Sequence, residues 1–134
     1  MGFLIKQNIF PTIFFSHIEM EEVFDDLADV EFFKGSLSKD YKYKAHIPRA
    51  IWNKWRPDSP LKRGEYKTIK FGRPGYMQYK DLIGEWSDYD HLDKKRRDLY
   101  RKRHEPIEIT LNGKKYQSYL VPFTNEFFSY WLMW

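Results

Sequence analysis

Apolar positions recur at helical spacing early in the chain. Met20, Val23, Phe24, Leu27 and Val30 fall on one side, with Glu19, Glu21, Glu22, Asp25, Asp26 and Asp29 on the other. That period predicts an acidic amphipathic helix over about residues 18–30. Phe32 and Phe33 follow, and KGSLSKD after them has the Gly and Ser content of a connecting loop. The boundary between an acidic arm, residues 1–40, and a basic, aromatic-rich body, residues 41–134, is placed there.

The period changes to two in YKYKAHIP, where Tyr41, Tyr43 and Ala45 alternate with Lys42 and Lys44. A strand ended by Pro48 is expected, its aromatics facing a core and its lysines facing water. Residues 49–55 suit a short helix, RPDSPLKRGE carries turn chemistry, YKTIKF reads as a second strand, and Gly72 and Gly75 flank Pro74 in a tight turn. The run DHLDKKRRDLYRKRH predicts one charged helix over about residues 90–104. Asp88 or Asp90 can cap it, three acid-then-base pairs four apart support it, and Pro106 stops it. IEITLNGKKYQSYL gives two strands about Asn112-Gly113, a pair suited to a type I′ turn. Thr124 then caps a short helix, NEFFSYWLMW, apolar nearly all round, which must be covered by this domain or by a partner. The sum is an α+β fold: a small, mostly antiparallel sheet, an acidic N-terminal helix, a basic helix and a short aromatic C-terminal helix.

The opening MGFLIKQNIFPTIFF is broken by Lys6, Gln7, Asn8 and Pro11. It falls short of the roughly 20 apolar residues of a membrane span and lacks the features of a cleaved leader. Phe10, Phe14 and Phe15 are expected to bury against the body or a neighbouring subunit, and no membrane partner is expected. The chain has no Cys, which removes disulfides, thiol nucleophiles and thiolate zinc sites and fits an intracellular or virion-internal protein.

Charge is uneven. Residues 1–40 carry a net charge of −5 and residues 41–115 one of +10, within an overall +4. An acidic arm before a basic body implies self-neutralisation, head-to-tail association, or a polyanion on one side and a protein on the other. Seven of the ten residues 94–103 are Lys or Arg. On a helix Lys94, Arg97, Arg101 and His104 share a stripe that could meet successive phosphates, although a solvated face with internal ion pairs has the same spacing. Aromatic–basic interleaving in YKYK, WNKW, YKTIKF and GYMQYK suits base stacking, yet a sheet with one face in the core produces it too. His91 and His104 are about 20 Å apart along a helix, too far to share a metal. No nucleophile elbow or Gly-rich phosphate loop occurs. No catalytic set, metal, cofactor or small-molecule substrate is therefore expected.

KTIKFG, Gly75-Tyr76, the helix residues His91, Asp93, Arg97, Tyr100, Arg103 and His104, and the ending FFSYWLMW occur in an order that resembles an uncharacterised family of large DNA viruses, both giant viruses of protists and large tailed phages. The resemblance covers residues 67–134, and its longer LIGEWSDYD insert is nearer a phage-type branch. It implies a viral source and carries no established activity. The leading expectation is a non-enzymatic structural or virion-associated protein, in the virion or host cytoplasm, that joins other virion proteins or copies of itself through Phe10, Phe14, Phe15, Phe128, Trp131 and Trp134. The alternative is an accessory protein that binds DNA or RNA through the basic helix.

Overall fold

The helical period near the start and the alternation after it produce the first half of the fold. The computed structural model describes residues 17–134. In it α1 (His17–Asp26) passes through a 3-10 turn into β1 (Glu31–Lys34), which pairs antiparallel with β2 (Tyr43–Pro48). After α2 (Arg49–Trp55), β3 (Tyr66–Phe71) pairs with the other edge of β2, giving the antiparallel order β1-β2-β3. α3 (Lys94–His104), a hairpin of β4 (Glu108–Leu111) and β5 (Lys114–Gln117), and α4 (Asn125–Met133) complete an α+β chain. Asn112 and Gly113 have φ of 51° and 81°, the two positive angles that a type I′ turn requires.

Register decides which side chains meet. Phe32 lies opposite Ala45, Ala45 opposite Ile69 and Tyr43 opposite Phe71, so all of these point to one face of the sheet. α4 covers that face. Phe128 is fully enclosed, stacked on Phe71 at 4.9 Å between ring centroids, while Phe32 stands edge-on to both at 6.0 and 5.8 Å. α1 adds Met20 and Val23 to the same core, and Phe24 packs edge-on to Trp131 at 5.3 Å. α2 closes the end with buried Trp52 and Trp55, whose indole N–H groups donate to the Ser59 carbonyl and to Asp26, each at 2.7 Å. Lys54 donates to the same Asp26 carboxylate at 2.9 Å, and that bond holds its pKa below the usual value against the effect of burial.

Four expectations are corrected. Residues 31–34 form a strand, and residues 20–34 share the core of the body, so the boundary drawn at residues 34–40 is the β1–β2 connection. The basic helix begins at Lys94, and its cap is Asp93, which accepts from the N–H groups of Lys95 and Arg96 at 2.9 and 3.3 Å. Asp90 is unavailable as a cap because Gln78 and the Asp81 N–H already occupy it. Lys42 points inward and is 2% exposed. Phe128 is a core residue of this chain and presents no surface to a partner. Phe10, Phe14 and Phe15 lie outside the described residues. Among the described residues no helix is long and apolar enough to cross a membrane.

Because Phe128 fills the interface between sheet and α4, Phe128→Ala is expected to cost about 3–5 kcal/mol. Urea unfolding measures this; an unchanged midpoint would remove Phe128 from the core.

Candidate functional site

A buried lysine organises the surroundings of the site. The Lys42 ammonium donates to the Tyr76 carbonyl and to Gln78 Oε1. Gln78 Nε2 in turn donates to the Trp86 carbonyl at 2.8 Å and to Asp90 at 2.6 Å. The buried Asp81 carboxylate accepts from the Tyr43 hydroxyl, from Ile83 N–H at 2.9 Å and from Trp86 N–H at 2.8 Å. Trp86 Nε1 closes the circuit by donating to the Lys42 carbonyl at 2.9 Å. Burial lowers the Lys42 pKa to about 8, with Asp81 and Asp90 opposing that shift, and burial raises the pKa of Tyr43.

The segment so fixed leads into α3, which docks by stacked rings. His91 lies 5.3 Å from Trp134, Trp134 stacks on Tyr100 at 4.1 Å with the planes 3° apart, and Tyr100 stacks on His104 at 3.8 Å. His104 Nδ1 is 3.1 Å from Glu126. Arg101 donates to the Trp134 carbonyl at 3.0 Å and lies over the Tyr130 ring, while Arg97 lies 4.6 Å over Tyr79. His91 Nδ1 accepts from Asp93 N–H at 2.9 Å, which requires that nitrogen to be unprotonated, and burial together with the Arg96 charge lowers its pKa.

The expected stripe therefore exists, and it faces α4 and the 78–91 segment. Arg97, Arg101 and His104 are half-buried in that contact, and Lys94 alone of the four is exposed. Trp134 belongs to the ring stack. Trp131 donates to the Tyr119 carbonyl at 2.9 Å and lines an apolar groove of about 490 Å³ with Phe24, Leu27, Phe32, Leu82 and Ile83.

The outward side of α3 takes part in something else. Lys94, Lys95, Arg96, Lys102 and Arg103 are all exposed. Arg96 and Arg103 line a cleft of about 720 Å³ together with Lys70 and Arg73 from the end of β3. Phe71 and Met133 supply an apolar floor, and Asp40 and Glu126 are the carboxylates among the lining residues. Glu126 is engaged by His104, and Asp40 lies 3.9 Å from Lys70. Among the described residues, Arg73, Arg96 and Arg103 form no ion pair. Gly72 keeps the floor open: its φ is +79°, and a Cβ there would sit 2.9 Å from Lys42 Cβ and 3.2 Å from Met133 Sδ. The interleaving in YKTIKF and GYMQYK contained Lys70 and Tyr76, but the meeting of that turn with α3 is tertiary and left no local signal.

Comparison of the chain with protein-family models, with curated proteins and with solved structures finds no match. The geometry alone carries the functional reading.

Lys42 generates a pH prediction. Its folded pKa lies below the ordinary 10.5, so between about pH 8 and that value the unfolded chain holds the extra proton, and stability rises with pH. Buried Tyr43, Tyr100 and Tyr130, all with raised pKa, act in the opposite sense only above about pH 10, where the unfolded chain ionises first. The melting temperature is expected to rise from about pH 7.5 to about pH 9.5. Lys42→Met should abolish that rise, and a rise that persisted in the variant would exclude Lys42 as its source.

Proposed function

We propose that this chain is a non-enzymatic binding protein that holds nucleic acid in the basic cleft. The observation that supports this reading is the convergence of Lys70, Arg73, Arg96 and Arg103 from separate segments, three of them without a carboxylate partner among the described residues, on a concavity with an apolar floor. Like charges brought together repel, and a fold that needs them only for solubility disperses them. A polyanion relieves the repulsion and releases its own counterions, so that the logarithm of the affinity falls linearly with log salt. The contacts differ from those the stripe suggests: Arg96 and Arg103 reach the ligand, while Arg97 and Arg101 hold the helix that carries them.

A second reading, assembly with other virion proteins or further copies, is favoured by the apolar groove beside Trp131, where Leu82 is 62% exposed. Exposed apolar surface of that kind suits a protein partner. Sedimentation over a range of concentrations and quantitative mass spectrometry of viral particles test it; a monomer absent from particles would exclude it.

For the nucleic-acid reading, anisotropy titrations against a labelled oligonucleotide at increasing salt should give a steep slope. Arg96→Ala with Arg103→Ala should weaken binding about tenfold or more and flatten the slope by roughly 1–2 units. Arg97→Ala should instead lower the melting temperature, because its guanidinium packs on Tyr79. Binding that ignores salt, or survives loss of both Arg96 and Arg103, would overturn the proposal.

A further inference from the structure

We infer that the cleft takes an unpaired base of a single-stranded nucleic acid, stacked against Tyr76, while the flanking phosphates rest on the cationic rims. This rests on the nucleic-acid reading above and adds the form of the ligand. Three observations carry it.

The first is shape. The cations line a concavity, and about 720 Å³ lies within the range of sites that enclose a small ring-bearing group. A duplex presents phosphates on a convex cylinder and keeps the faces of its bases stacked, so it could touch the rims and leave the apolar floor unmet. The outward face of α3 is a poor groove reader, because Asp98, 72% exposed, sits in the middle of its cations.

The second is the aromatic platform. Tyr76 lines the cleft and is 61% exposed, with the Arg73 guanidinium 5.1 Å from its ring. A large aromatic held in water beside a cation is the combination that stacks bases irrespective of their sequence. Met77, 43% exposed beside it, and the buried Phe71 and Met133 continue the apolar surface into the cleft.

The third is the distribution of polar groups. Lys70 and Arg73 line the cleft from the end of β3 and Arg96 and Arg103 line it from α3, so a backbone crossing the cleft meets positive charge from two separate elements. Inside, Asn125 accepts the Glu126 N–H through Oδ1 at 2.9 Å, and its amide Nδ2 has no partner among the described residues and can donate to a base edge. The exposed Lys94, Lys95 and Lys102 extend the positive surface along α3, which suits a strand that continues beyond the cleft.

The test compares the full chain's affinity for two fluorescent probes at one salt concentration, a roughly 12-nucleotide single strand and the same sequence as a duplex, with unlabelled inorganic polyphosphate of matched charge as competitor. The single strand should bind about tenfold or more tightly than the duplex and resist polyphosphate. Tyr76→Ala should weaken single-strand binding about tenfold and leave duplex binding unchanged, with Tyr76→Phe restoring it. The exposed Tyr76 ring makes that variant compatible with folding, which its thermal transition verifies. DNA and RNA versions of the strand decide which sugar is preferred, and tight binding of either supports the inference. Equal binding of strand and duplex, both lost with Arg96→Ala and Arg103→Ala, would overturn this inference and leave the nucleic-acid reading standing. Displacement by polyphosphate as efficient as by the strand would likewise reject the base. Failure of every nucleic-acid probe would remove both.

Discussion

The arrangement depends on one buried charge. An ammonium taken out of water is costly unless it is paired and hydrogen-bonded, and among the described residues Lys42 meets that requirement with groups that lie between residues 76 and 90. That segment has little regular structure of its own, a single 3-10 turn over Ser87–Tyr89. Lys42, Gln78, Asp81 and Asp90 therefore substitute for a helix or strand by holding the Tyr76 and Trp86 carbonyls and the Asp81, Ile83 and Trp86 N–H groups of the segment. A buried network of this sort favours one geometry, and losing one member strands the others.

The consequence reaches the C-terminus. A helix ends with carbonyls that have no partner within it, and in α4 the N–H groups of Lys80 and Leu82 take those of Met133 and Leu132 at 3.1 and 2.9 Å. The anchored segment thus holds the end of α4, and Trp134 beyond it becomes the plate on which Tyr100 stacks. α3 can then sort its cations by helical phase. Arg96 and Arg97 are neighbours in sequence about 100° apart on the helix, so one reaches the cleft and the other packs on Tyr79.

What could be read from the sequence divides along the same line. Wherever a residue's environment is set by its near neighbours the reading held: α2, β3, the Asn112-Gly113 hairpin and the Thr124 cap occupy the expected positions. It failed where a distant segment decides. The alternation in YKYKAHIP assigns Lys42 to water because it presumes one covered face, and residues 76–90 cover the other side at that point. β1 was missed because the adjacent Phe32 and Phe33 show no period of two; only Phe32 turns inward. The α3 stripe lies where its spacing puts it, but three of its four members, Arg97, Arg101 and His104, pack against the body and only Lys94 is exposed. Leu92 and Leu99, the obvious apolar anchors, are 60% and 50% exposed, and the helix docks instead through Tyr100, His104 and two arginines whose charge is absorbed by rings and a carbonyl.

The charge asymmetry of the chain survives folding, and this bears on how a ligand arrives. Had the acidic first helix folded onto the basic one, each would have cancelled the other. Among the described residues the only α1 carboxylate in an ion pair is Asp26, and its partner, Lys54, belongs to α2. Glu21, Glu22 and Asp25 stay exposed on α1, while the cations of α3 stay exposed around the cleft. Separate surfaces of opposite sign give the molecule a directional field, and on the proposed nucleic-acid reading a polyanion would be drawn towards α3 and repelled from α1 before any contact forms. Such steering weakens with salt over the same range as the contacts themselves, since both act across roughly a Debye length.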